Sequence, residues 1–67
     1  KEKCIAKLKE EALETVEAAE HNDRNQIIYE SADLIYHLLV LWNKFEITPD
    51  QIYDELISRE GKTGIRK

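Results

Sequence analysis

The stretch "YESADLIYHLLVLW", residues 29–42, decides the fold. It contains no glycine or proline and is far longer than a typical strand, so its apolar density belongs to a helix. At 100° per residue the side chains around it are apolar over nearly the whole circumference. One narrow polar sector remains, formed by Gln26, Glu30, Asp33, His37 and Lys44 along a single line. A helix apolar almost all round is normally buried, so two carboxylates in that line demand a reason.

Working outward, Asp23 followed by Gln26 has the spacing of a capping box, which starts this helix near Arg24 and carries it to about Lys44. Residues 1–20 lack glycine and proline and are rich in Lys, Glu, Ala and Leu, which makes them a preceding helix. Its Ile5, Leu8, Ala12, Val16 and Ala19 recur at spacings of three and four and read as a buried face. A second stripe, Cys4, Lys7, Glu11, Glu14 and Ala18, lies about 120° round from the first. Downstream, "ITPDQI" supplies Thr48 as N-cap, Pro49 at the first helical position and Gln51 three after the cap. A third helix is therefore expected to run to about Glu60 and stop at Gly61.

The fold class is all-α: a helical hairpin plus a third helix. One short partner helix cannot cover a helix apolar on nearly every side, so the chain is expected to dimerise into a multi-helix bundle. Residues 1–60 form the domain and 61–67 a basic tail. "GKT" at 61–63 resembles the end of a phosphate-binding loop, but Leu56 stands where that pattern needs glycine and no strand precedes it.

Composition narrows the function. A 67-residue chain buries a modest core, and Cys4, the single cysteine, rules out an intrachain disulfide. A net charge of −4 and a pI near 5.1 argue against nucleic-acid binding. The longest apolar run, Leu38 to Trp42, is too short to cross a bilayer, and the N-terminus has no signal-peptide core. A cytoplasmic protein is expected, and its start at Lys1 without a methionine has two readings, a trimmed chain or one that lacks its first segment.

If the first two helices fold back about Asn22, Glu14 and Glu30 stand equally far from the turn, and so do Glu11 and Asp33. Four acids then converge. Such a cluster repels itself unless cations neutralise it, and hard oxygen ligands suit Mg²⁺ or Mn²⁺. The opposing reading is that the glutamates of the first helix form a solvated face paired with lysines. His37 has three readings: a ligand, a hydrogen-bond donor behind the ligands, or a satisfied core histidine. Tyr36 and Trp42 either stack a base or pack in the core.

"KLKEEALETVEAAEHNDRNQIIYESADLIYHLLVLW" followed by "ITPDQIYDEL" resembles the phosphoribosyl-ATP pyrophosphatase family of histidine biosynthesis, part of the all-α nucleotide pyrophosphatase (MazG-like) superfamily. The likeness runs from about Ile5 to Ser58. Its acidic pattern stands here as Glu10-Glu11, Glu14, Glu30 and Asp33. The resemblance implies Mg²⁺-dependent hydrolysis of phosphoribosyl-ATP, a small-molecule nucleotide, between its α and β phosphates. It implies Glu11, Glu14, Glu30 and Asp33 as metal ligands, Glu10 as the residue that orients or deprotonates the attacking water, and Lys7 as a contact to a phosphate oxygen. Arg59 and Lys62 either attract the triphosphate or do nothing specific. Lys9 departs from a usual glycine and Ser31 from a usual alanine, and the family normally has a segment ahead of the position of Lys1. Two alternatives stand beside this reading: a related nucleoside triphosphate pyrophosphohydrolase, and a non-catalytic helical dimerisation module.

Overall fold

The computed structural model describes residues 2–60. Within them lie three helices and no strand: α1 (Glu2–Glu20), α2 (Arg24–Lys44) and α3 (Pro49–Ser58). The chain is all-α, as its sequence indicates. The tail and the "GKT" stretch lie outside the described residues.

The reversal between α1 and α2 is built from backbone hydrogen bonds that the sequence permits. Asp23 N–H donates to the Ala18 carbonyl at 3.1 Å and Asn22 N–H to the Ala19 carbonyl at 3.0 Å, which closes α1 in a Schellman motif. That motif needs a left-handed residue, and Asn22 supplies it at φ 55°. Asp23 then caps α2 by accepting from the Gln26 N–H at 3.1 Å. The box expected there is only half formed. The Asp23 N–H already donates to the Ala18 carbonyl and leaves nothing for the Gln26 side chain to accept, and the Gln26 amide donates to Glu30 Oε2 at 3.2 Å.

The α2–α3 junction repeats the closing device. Ile47 N–H donates to the Trp42 carbonyl at 2.8 Å and Glu46 N–H to the Asn43 carbonyl at 3.1 Å, with Glu46 at φ 60°. Here the αL position is held by a glutamate rather than glycine or asparagine. At α3 the capping box is complete: Thr48 N–H donates to Gln51 Oε1 at 2.8 Å, and Gln51 N–H to Thr48 Oγ1 at 3.3 Å. α3 ends at Ser58, two residues before the expected stop. The Arg59 and Glu60 N–H groups bond three residues back, to Leu56 and Ile57, so the last turn tightens ahead of Gly61.

α1 and α2 pair antiparallel. Cys4 Sγ lies 3.8 Å from the His37 carbonyl near the open end, while Ala18 packs near the turn. The interior of this hairpin is unusual. The buried residues among those described are Ala18, Glu11 and Glu30, the latter two only 5% and 8% exposed. The expected buried face of α1 corrects accordingly: Ile5 and Val16 are exposed, Ala12 and Ala19 are exposed, and Leu8 is half-buried. The second stripe, carrying Glu11 and Ala18, faces α2 instead. Packing the carboxylates inward turns the large apolar side chains of both helices outward, including Ile28, Ile35 and Leu39 on the back of α2.

α3 buries none of its residues. The radius of gyration, 13.7 Å, exceeds the roughly 11 Å of a compact globule of this length, and the extents of 34 × 32 × 15 Å describe a slab. No helix among the described residues is long and apolar enough to cross a membrane.

Candidate metal centre

The hairpin register sets the site. Glu11 faces α2 one turn after Lys7, and Glu30 and Asp33, one turn apart on α2, face back across the seam. Oxygens of Glu11, Glu30 and Asp33 all lie within 4.8 Å of one another, and a second group of Glu10, Glu11 and Glu14 meets the same limit. Glu11 belongs to both, so the five acids form one continuous patch. It grades from exposed Glu10 through half-buried Glu14 and Asp33 to buried Glu11 and Glu30.

Three full charges at this spacing are costly. At an effective dielectric constant near 20, each pair within 4.8 Å repels by about 3 kcal/mol or more. Three such pairs approach the whole net stability of a small domain, on the order of 5–15 kcal/mol. A proton or a cation placed among these oxygens relieves that repulsion. The carboxyl of Glu14, in the adjoining group, is pushed up to about 7, first by loss of hydration, then by its interaction with Glu30 and the charges of Glu11 and Glu10.

Two oxygens of this cluster could ligate a cation. Glu11 Oε1 and Glu30 Oε1 are buried and have no hydrogen-bond partner. Buried carboxylate oxygens are normally satisfied, and a divalent ion is one ligand that satisfies both at once. The donor set is all carboxylate, which suits Mg²⁺ or Mn²⁺. Neighbouring groups hold the acids in place. Gln26 holds Glu30 Oε2 and leaves Oε1 bare. Lys7 Nζ sits 3.5 Å from Glu10 and 3.6 Å from Glu11, and the Glu10 charge, chiefly, raises its pKa.

His37 is not part of either acidic group. It is half-buried, its Nδ1 is buried without a partner, and its ring meets Tyr36 edge-on at a centroid distance of 5.2 Å. Tyr36 is exposed and Trp42 half-buried. Arg59 pairs with Glu55 at 3.1 Å at the end of α3, and Lys62 lies outside the described residues.

Residues 1–60 match the family described as phosphoribosyl-ATP pyrophosphohydrolase. The chain belongs to that family. Among curated members it is similar to the phosphoribosyl-ATP pyrophosphatase of Geotalea daltonii, with 52% identity over 64 residues that cover 96% of this chain and 60% of the relative. The protein of that name from Nitrosomonas eutropha is 47% identical over 66 residues, covering 98% of this chain and 56% of the relative. That from Rhodobacter capsulatus is 44% identical over 64 residues, covering 96% and 62%. The chain thus spans somewhat over half the length of the phosphoribosyl-ATP pyrophosphohydrolase relatives it matches. No solved structure matches it.

Of the residues singled out in the sequence, Glu10, Glu11, Glu14, Glu30 and Asp33 are brought together in this member of the family, with Lys7 at their edge. Gln26 joins the site as well, through its bond to Glu30, where its spacing predicts only a capping role. Its position one turn before Glu30, on the polar line of α2, is the signal that could have found it.

Proposed function

We propose that the protein hydrolyses phosphoribosyl-ATP to phosphoribosyl-AMP and pyrophosphate, as a cytoplasmic enzyme of histidine biosynthesis that uses Mg²⁺, or Mn²⁺ in its place. The observation that carries this reading is that Glu11 and Glu30 each hold a buried, unpartnered oxygen and that carboxylate oxygens of Glu11, Glu30 and Asp33 lie within 4.8 Å of one another. The family membership supports the choice of substrate.

Glu11, Glu14, Glu30 and Asp33 are the residues that would hold the ion. When bound, it supplies polarisation of the phosphoryl oxygens and neutralises charge on the phosphate chain. The remaining work falls to the chain itself. Gln26 fixes the Glu30 carboxylate so that its free oxygen stays inward. Glu10, exposed at the rim of the same cluster, orients a water and accepts its proton as the water oxygen bonds to phosphorus. The bridge between the α and β phosphates breaks, and pyrophosphate departs. Lys7, held between Glu10 and Glu11, places an ammonium beside the phosphate oxygens.

A homodimer is part of the same proposal. A hairpin whose one buried apolar residue is Ala18 cannot supply a sufficient core, and full burial of a side chain such as Ile28, Ile35 or Leu39 contributes about 1.5–3 kcal/mol. A second copy covering that ridge would complete the bundle.

The test is pyrophosphate release from phosphoribosyl-ATP and from a panel of ordinary and modified nucleoside triphosphates, with Mg²⁺ present. Release from phosphoribosyl-ATP, lost in Glu14→Ala and Asp33→Ala while helix content is retained, is the expected result. Turnover of the panel alone would replace the substrate, and full activity in both variants would discard the acid assignment.

A further inference from the structure

Two clefts flank the acidic cluster, and their linings differ sharply in charge. The one at the turn end, about 320 Å³, is lined by Glu14, Glu17, Asp23 and Glu30 together with His21 and Gln26. The one toward the open end, about 290 Å³, is lined by Lys3, Lys7 and Lys44 around Tyr36, His37 and Val40, with no carboxylate in its wall. In a chain of net charge −4 this second cleft is a local concentration of positive charge.

The three lysines are not alike. Lys7 is tied to Glu10 and Glu11 and so joins the cleft to the acids. Lys3 and Lys44 make no ion pair among the described residues, although the chain offers an excess of carboxylates. His37 adds a buried Nδ1 that also lacks a partner. Val40, Tyr36 and the lysine stems give the cleft apolar surface beside its ammonium groups. Its volume lies at the bottom of the range for small-molecule sites, roughly 300–1,000 Å³, and so fits a fragment of a nucleotide rather than the whole.

Resting on the hydrolysis reading above, we propose that this lysine-lined cleft is the subsite for the pyrophosphate end of the substrate. The substrate lies across the acids with its phosphate chain directed to the open end of the hairpin. The opposite orientation would press the phosphates against Glu14, Glu17 and Asp23, where like charges repel. Lys3 and Lys44 thereby hold the leaving group, and Lys7 spans the boundary between it and the metal centre.

Calorimetric titration of inorganic pyrophosphate into the full chain in saturating Mg²⁺ tests the assignment, with Lys3→Ala/Lys44→Ala and Lys3→Arg/Lys44→Arg as variants. Both positions are exposed, and circular dichroism verifies that helix content is kept. The expected result is a loss of pyrophosphate affinity of about tenfold or more in the alanine variant, retention in the arginine variant, and unchanged AMP affinity in both. Equal pyrophosphate affinity in the wild type and the alanine variant overturns the proposal. So does an equal loss of AMP affinity, or no pyrophosphate binding by the wild type. Lysine-dependent pyrophosphate binding in a protein that fails to cleave phosphoribosyl-ATP would uphold the subsite and refute the hydrolysis reading by itself.

Discussion

Divalent metal should invert the pH dependence of this protein's stability. In the metal-free chain the Glu14 carboxyl is raised from 4.5 to about 7. A carboxyl raised on folding means that the folded state holds the extra proton between those two values, so the slope of stability with pH is negative there. Glu14 thus contributes stability that is fully present below pH 4.5 and is lost as pH rises through about 7. The ion competes for the same oxygens, so its affinity grows over the same window as the proton leaves. An ion at a hundred times its dissociation constant stabilises by about 2.7 kcal/mol. For a domain of this size each kcal/mol moves the melting temperature by roughly 4–8 °C, so the shift is on the order of 10–20 °C. The assay is a thermal melt followed by circular dichroism from pH 5 to 8, with chelator and with saturating Mg²⁺ or Mn²⁺. The two melting curves should diverge as pH rises. A metal-free melting temperature that climbs across this window, together with no response to metal at pH 8, would refute the reasoning about the cluster.

Other outcomes follow from particular residues. Gln26→Ala should weaken Mn²⁺ binding by about tenfold, measured by electron paramagnetic resonance, because Glu30 loses the donor that fixes it while the Asp23 cap survives; an unchanged affinity would show that Gln26 positions nothing. Ile35→Lys should shift the protein to a monomer in light scattering and lower its melting temperature, since it places a charge on the exposed apolar ridge of α2; an unaltered mass would locate any dimer contact elsewhere. Glu46→Gly should stabilise by about 1 kcal/mol in denaturant unfolding, because it relieves a left-handed glutamate at the end of α2. A loss of stability there would mean that the Glu46 side chain contributes more than its backbone conformation costs.

Much of the fold and the convergence of the five acids were legible in the residues themselves. The all-α class, the start and end of α2 and the cap of α3 follow from local chemistry: an unbroken run without glycine or proline, Asp23 before Arg24, and Thr48-Pro49 ahead of Gln51. The equal heights of Glu11 and Asp33, and of Glu14 and Glu30, about Asn22 follow from counting, because a tight turn leaves a hairpin one register. Tertiary structure decided which side of α1 faces inward. Helical periodicity finds an apolar stripe but not its partner, and here the seam took the acids while Ile5 and Val16 stayed outside. It also decided where Gln26 donates, since a capping spacing cannot reveal a buried carboxylate one turn further on. The segregation of lysines to one cleft and acids to the other likewise needed three dimensions, because Lys3 and Lys44 sit at opposite ends of the sequence's two long helices and meet only when those helices run antiparallel.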